Sequence, residues 1–551
     1  MLSDLDRKFD ETLAEVTGPG GRVVIGEDAE GRAIATNLPA TIPDLFRAFC
    51  SVNGALEAVI AGDERLTFAE LDRISERVAR GLAARGIAKG DRVAIAMRNC
   101  PAWIVTYMAI VKAGGIATLL NGWWEPLEME QAIRLTDPKL LIADAARGRR
   151  IAEKCSDFET VALPVELPIE QAVAELLGAG EADLPEISPD DDATILFTSG
   201  STGESKGALS THRAVTTATY AYSTGLVVLL GILTKEGRAP GVQPRTLLSV
   251  PLFHVTGEVP VMINSFVVGR CMVIMPKWDA TEALRLIEKE KITYFVGVPT
   301  MSLELMTHPD RHKYDLSTLT DITAGGAPRP VSHVERLRQE FPQAQPALGY
   351  GLTETNAAGC ANYWGNYAAK PASTGRAQKP YIELAILGAG DKHLGTGEVG
   401  EIGIRTAASI RCYWQNPEAT EALFTADGYV RTGDVGYVDE DGYLFIVDRK
   451  KEIIIRGGEN ISAAEVEAEC YACPDVAEVA VFGAPDERLG EVPVAVVHTK
   501  NGLSEEDLRL FLEQRLARFK IPARFIFSEE PLPRLGTGKI DRRALKAQHA
   551  H

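Results

Sequence analysis

The stretch TILFTSGSTGESKG, residues 194–207, decides how this chain is read. An apolar, β-branched run ends at Thr198 and passes directly into residues that are nearly all glycine, hydroxyl or lysine. Gly200, Gly203 and Gly207 let the backbone bend and approach an anion closely, leaving N–H groups free to donate. Thr198, Ser199, Ser201 and Thr202 add hydroxyl donors and Lys206 adds positive charge, so the loop has the chemistry of a phosphate cradle. It is not a Walker loop, because Glu204 and Ser205 separate Gly203 from Lys206. It is not a nucleophile elbow either, since the residue two before Ser201 is Ser199 rather than glycine. A switch-type NTPase and a serine hydrolase are both disfavoured.

Further motifs follow in chain order. PLFHVTG at 251–257 puts Phe253 and His254 at the end of an apolar strand, and GYGLTET at 349–355 gathers Gly349, Tyr350, Thr353 and Glu354. YVRTGDVG at 429–436 carries Asp434. VDRKKEIIIRGGENIS at 447–462 holds Arg449, Lys451, Gly457 and Gly458, and PRLGTGKIDRRAL at 533–545 holds Lys539.

Together these segments resemble the adenylate-forming superfamily of acyl-CoA synthetases, amino-acid adenylation domains and beetle luciferases, from about Leu66 to Leu545. The resemblance implies an acid–thiol ligase using ATP, Mg²⁺ and CoA with a small-molecule carboxylic acid. It gives the 198–207 loop the β- and γ-phosphates, Thr353 a phosphate contact and Glu354 the Mg²⁺ ion. Tyr350 would face adenine, Asp434 would accept from the ribose hydroxyls with Arg449 assisting, and Gly325, Gly326 and Ala327 would form the wall beside the nucleotide. Phe253, His254, Gly325 and Gly349 would border the acyl group. Lys539 would reach in from the C-terminal domain to bridge carboxylate and phosphate oxygens. In the family the small domain rotates between half-reactions, which makes Lys451 the expected pivot and Gly457 and Gly458 the expected CoA channel. Ser205 departs from the proline common before the loop lysine.

His254 stands where amino-acid-activating relatives carry an aspartate for the substrate ammonium, so an amino acid substrate is disfavoured. His254 either lines the acyl pocket or is a buried histidine satisfied by backbone. Fatty, aryl and arylpropenoic acids all fit FHVTG. The apolar 215–233 segment, with Tyr220 and Tyr222, either walls the acyl pocket, which favours a medium- or long-chain fatty acid, or packs the core. A luciferase-like or non-catalytic nucleotide-binding protein is the alternative of a different class, and the presence of both Lys539 and GGEN argues against it.

Composition sets the frame. A chain of 551 residues with 45% hydrophobic content should divide into at least two domains. Its net charge of −18 disfavours nucleic acid and anionic lipid as partners. Eight scattered cysteines suit a reducing cytoplasm, and Cys470 and Cys473 read as core rather than metal ligands. The longest apolar run, Gly225 to Leu233, is short of the ~20 residues that span a bilayer, so no membrane span is expected. Neither end resembles a targeting signal, and no carrier-protein segment is expected after Leu545. A homodimer is compatible with the sequence.

Strand-like runs at 92–97, 115–120, 140–144, 246–250, 271–275 and 292–298 alternate with amphipathic helices. The expected fold is α/β: a large N-terminal domain, residues 1–447, of mostly parallel sheets flanked by helices, with a small mobile α+β C-terminal domain, residues 448–551, hinged at 448–451. Within the latter, 476–500 reads as two strands with a polar turn and 504–517 as a helix. Ser462 and Glu465 read as a capping box, with Ile461 stapled to Val466, which makes GGEN an exposed loop.

Overall fold

The computed structural model describes residues 2–177, 182–198, 205–326, 329–450, 452–456, 459–486, 488–499, 502–535 and 538–550. One helix, PAWIVTYMAIVK, is apolar nearly all round. Every residue of it, Pro101–Lys112, is buried, between the strands Arg92–Ala96 and Ile116–Leu119 on one side and the helices Ile42–Val52 and Phe68–Ala84 on the other. Its one charge, Lys112 at the C-terminal end, pairs with Asp72 at 2.6 Å.

The first sheet runs in the order Cys412–Tyr413, Lys206–Thr211, Asp192–Thr198, Ile116–Leu119, Arg92–Ala96, Leu140–Asp144, Thr160–Leu163. Its last five strands are parallel. The second has nine strands, with Gln345–Gly351, Asp321–Gly325, Tyr294–Gly297, Arg245–Leu248, Cys271–Ile274 and Glu57–Ala61 parallel and adjacent. These strands are covered on both faces, which is why they read as short apolar runs without alternation. A third sheet, Glu383–Leu387, Gly400–Arg405, Val430–Val438 and Leu444–Arg449, is antiparallel throughout. Asp448 and Arg449 of the expected hinge belong to its last strand, opposite Val435 and Asp434.

The C-terminal part has its own sheet and its own core around Ile454, Val466, Val481, Val497 and Leu512. Cys470 and Cys473 are buried in that core, away from any cluster of metal-ligating side chains among the described residues. Three details differ from expectation. Glu459–Ile461 is a strand antiparallel to Ile454–Arg456, not loop, because Ile454 and Ile461 face each other in the core. Ser462 does cap the helix Ala463–Tyr471 by accepting from the Glu465 N–H, but the Glu465 carboxylate takes Lys520 at 2.7 Å instead of closing a capping box. The helix after Ser504 ends at Glu513, and a further helix, Arg542–His549, starts from an Asp541 cap.

Among the described residues one helix, His212–Lys235, is long and apolar enough to cross a bilayer. Its apolar window is 72% buried inside the protein, so packing within the fold accounts for its composition. Tyr220 and Tyr222 lie about 200° apart on it. Tyr220 donates to the Pro39 carbonyl at 2.6 Å, whereas Tyr222 donates to the carbonyl of Ala357, just after the GYGLTET segment.

Candidate active site

The sequence-selected segments converge at the C-terminal ends of the parallel strands. Thr198 and Lys206 are register partners at the mouth of an antiparallel hairpin. The strand Cys412–Tyr413 adds to its far edge opposite Ala208 and Leu209, which places the Tyr413 ring 5.0 Å from the Lys206 ammonium. Tyr413 then donates its hydroxyl to Glu354 Oε1 at 2.6 Å. Burial, followed by the Glu354 charge, raises the Tyr413 pKa, so the phenol stays a donor. One residue thus links the loop lysine to the carboxylate selected for metal binding.

Thr353 and Glu354 sit in a short turn, Thr353–Thr355, that is fixed from below. Asn356 adopts a left-handed conformation at φ 50° and its buried amide donates to Ser210 Oγ at 2.9 Å and to the Ala408 carbonyl at 2.8 Å. The turn is therefore tied to the strand that carries Lys206.

A second cluster lies beside it. Tyr350 donates to Asp434 Oδ2 at 2.7 Å, and Arg449 Nε lies 3.2 Å from Asp434 Oδ1. Asp434 and Arg449 are cross-strand partners in the antiparallel sheet. Burial pushes the Asp434 carboxyl above the usual range, with Arg449 and the Tyr350 hydroxyl pulling back.

Lys539 enters this space from the C-terminal part. A Cβ added to Gly326, whose φ is +74°, would lie 3.3 Å from Lys539 Cε and 3.4 Å from Nζ. The same turn packs on the larger domain through Gly538, where an added Cβ would meet Val298 at 3.2 Å. Burial, then the charge of Arg449, lowers the Lys539 ammonium from 10.5 to about 8. His254 also faces Lys539: burial and that charge lower it to about 3, and its Nδ1 accepts from the Thr256 N–H at 3.3 Å. His254 is therefore neutral with its proton on Nε2.

Gly325 and Gly349 are register partners with open space above them: an added Cβ meets only the Gly349 carbonyl, at 3.6 Å, in the first case and nothing within 4 Å in the second. Phe253 is buried next to His254. Ser199, Gly200, Ser201, Thr202, Gly203, Ala327, Lys451, Gly457 and Gly458 lie outside the described residues. Tyr413 and Asn356 were not selected from the sequence. The only local signal for Asn356 is its place directly after the GLTET run.

The AMP-binding enzyme family model matches residues 46–414, and the AMP-binding enzyme C-terminal domain matches 465–539. The chain belongs to this family and, with it, to the adenylate-forming superfamily. Among its relatives, a long-chain-fatty-acid–CoA ligase, FadD13, of Mycobacterium tuberculosis is 32% identical over 92% of this chain and 98% of its own. A feruloyl-CoA synthase of an Amycolatopsis species is 34% identical over 88% and 94%. Among solved structures, o-succinylbenzoate CoA synthetase of Bacillus subtilis with its acyl-adenylate superposes with a TM-score of 0.79 at 30% identity, covering 92% of this chain and 98% of that one. ATP-bound MatB of Rhodopseudomonas palustris gives 0.81 at 27% identity, over 92% and 99%.

Proposed function

We propose that this protein is an ATP-dependent acid–CoA ligase acting on a hydrophobic carboxylic acid, with a medium- or long-chain fatty acid favoured over aryl and arylpropenoic acids. The observation that carries the reading is Lys539, delivered from the C-terminal part against Gly326 and facing Asp434 and Arg449. A surface lysine would not be held there.

In the first half-reaction a carboxylate oxygen attacks the α-phosphorus of ATP, the bond to the bridging β-phosphate oxygen breaks, and pyrophosphate leaves. The acid is already ionised at neutral pH, so no general base is needed. Charge must be neutralised and the groups positioned. Lys206 and Thr198 serve the β- and γ-phosphates, Asp434 and Arg449 hold the ribose, and Tyr350 orients Asp434. Lys539 lies between the nucleotide and acyl sides, where charge develops. The Glu354 carboxylate, with Tyr413 on one oxygen, suits a hard cation that takes one carboxylate plus phosphate oxygens. Mg²⁺ held there would neutralise phosphate charge.

In the second half-reaction the CoA thiol gives its proton to solvent, the thiolate sulfur attacks the acyl carbon, and the bond from that carbon to the AMP phosphate oxygen breaks, releasing AMP. His254 is too weakly basic to take that proton while Lys539 faces it, so it acts as pocket wall in the first step. Rotation of the 448–551 domain about Lys451 would withdraw Lys539 and open the CoA path past Gly457 and Gly458. CoA-dependent AMP release, measured over straight-chain acids of increasing length and arylpropenoic acids, tests the reading. Absence of acid-dependent AMP release with every acid would overturn it.

A further inference from the structure

Two arginines brace the turn that carries Lys539, one on each side of it. On the N-terminal side Arg534 pairs with Ile540 across the turn, donates from Nη1 to the Gly538 carbonyl at 2.8 Å and pairs through Nη2 with Glu478. The Leu535 N–H also donates to the Lys539 carbonyl at 2.8 Å. These contacts close the turn on itself, but they do not fix where it stands relative to the larger domain.

Arg542, three residues after Lys539, makes contacts of the second kind. Its Nε donates to Glu467 Oε1 at 3.0 Å and its Nη2 pairs with Glu467 Oε2, a fork that ties it to the helix Ala463–Tyr471. Glu467 is 7% exposed and also accepts from the Val481 N–H at 2.8 Å, so this pair belongs to the C-terminal core. The remaining nitrogen, Nη1, reaches Glu452 Oε2 at 3.3 Å. Glu452 directly follows Lys451, and its N–H and that of Ile453 both donate to the Arg449 carbonyl, at 2.8 and 3.1 Å. Arg449 in turn holds Asp434, which Lys539 faces. The path from Asp434 through Arg449, Glu452 and Arg542 to Lys539 therefore closes on itself around the hinge. The core does not need the Glu452 arm: the two side chains are 36% and 37% exposed, where an ion pair contributes little stability.

We propose that Arg542 is a positioning residue of the adenylating half-reaction, its bond to Glu452 holding the Lys539 turn against the hinge turn and so against Asp434 and Arg449. This rests on the acid–CoA ligase reading. Neither Arg542 nor Glu452 touches a reacting atom. They act through the place of Lys539, and moving such a group by about 1 Å costs about 10² in rate. Arg542 also adds its charge: with Arg449 it lowers the Lys539 ammonium pKa, Asp434 opposes them, and His254 facing the same group is neutral.

The test follows the half-reactions separately in the full-length enzyme, as acid-dependent exchange of pyrophosphate into ATP and as conversion of supplied acyl-adenylate to thioester. Glu452→Gln leaves the Glu467 fork intact and is expected to lower the exchange at least tenfold, with thioester formation within threefold of the parent and an unchanged melting temperature. Arg542→Gln is expected to lower the exchange likewise. Because it removes a cation from beside Lys539, it should also move the decline of kcat/KM for adenylation upward from about pH 8, by about half a pH unit or more. Arg542→Lys keeps the charge but not the fork, so the decline is expected to stay where the parent has it while the exchange remains lowered. If Arg542→Gln unfolds for want of a partner to the buried Glu467, Glu452→Gln and Arg542→Lys decide. Exchange within threefold of the parent in folded Glu452→Gln, or equal loss of both half-reactions, overturns the assignment. A decline at the parent's pH in folded Arg542→Gln overturns it as well, since it would put Arg542 away from Lys539. Failure of the ligase reading is a separate result, because then the parent shows no exchange with any acid.

Discussion

Replacing Lys539 by methionine should make the ligand-free protein more stable while abolishing its adenylating half-reaction. The ammonium is held at about 8 instead of the ordinary lysine value of 10.5, which corresponds to about 3 kcal/mol against the charged form. The side chain keeps part of its surface, and the C-terminal domain can relax outward, so this figure is an upper bound on the gain. The pH dependence has a definite sign. Below about pH 8 the folded and unfolded chains both carry the proton and the penalty is present in full. Between about 8 and 10.5 the folded chain releases its proton while the unfolded chain keeps it, so stability rises with pH across that window. Denaturation midpoints from pH 7 to 10 should show this rise in the parent and not in Lys539→Met.

The catalytic effect runs the other way. Loss of a cation aimed at developing charge costs about 10²–10³ in rate. Acid-dependent exchange of pyrophosphate into ATP should fall by that amount, whereas conversion of supplied acyl-adenylate to thioester should be largely kept. In the parent, kcat/KM for adenylation should decline as pH rises through about 8, where free Lys539 loses its charge. Equal loss in both half-reactions, or a variant no more stable than the parent at pH 7, would refute the placement of Lys539.

Tyr413→Phe keeps the ring beside Lys206 but removes the 2.6 Å hydrogen bond to Glu354, so the Mg²⁺ concentration for half-maximal rate should rise about tenfold. Glu354→Gln removes the charge itself and should raise it further; a metal titration unchanged in both variants places the ion elsewhere. Asp434→Asn should raise the KM for ATP by about one to two orders of magnitude, through loss of charge-assisted bonds, with little change in melting temperature. Steady-state kinetics with ATP varied decide this, and an unchanged KM removes Asp434 from the nucleotide site. Arg270 is 4% exposed, its Nε and Nη1 lack partners, and the Tyr294 ring, 4.4 Å away, and the charge of Asp321 offset its burial only in part. Arg270→Met should therefore stabilise the protein by about 1 kcal/mol in urea denaturation, and destabilisation would mean that the Asp321 charge and the Tyr294 ring outweigh the cost of burial.

What the sequence reveals depends on how locally a feature is encoded. The glycine- and hydroxyl-rich segment after Thr198 and the turn carrying Lys539 stand out in the sequence because their chemistry lies in the segment itself, in glycines that free backbone donors and a lysine at fixed spacing. Parallel strands are legible for a related reason, since burial on both faces demands short apolar runs between helices. Tyr413 is different. In RCYW it is one aromatic among many, and it acquires a role only when its strand joins the edge of the Lys206 hairpin and brings its hydroxyl to a carboxylate 59 residues earlier. Asn356 depends likewise on Ser210, 146 residues away. The one misread cap has the same origin. Ser462 and Glu465 satisfy the local pattern of a capping box, but Lys520 offers the Glu465 carboxylate a full opposite charge, which outweighs a neutral N–H. The apolar 215–233 run is one face too many for a single reading, because a helix turns Tyr220 into the core against Pro39 while turning Tyr222 toward the site. Apolar composition could not separate those two faces, because which residues of a helix meet the core is decided by long-range packing.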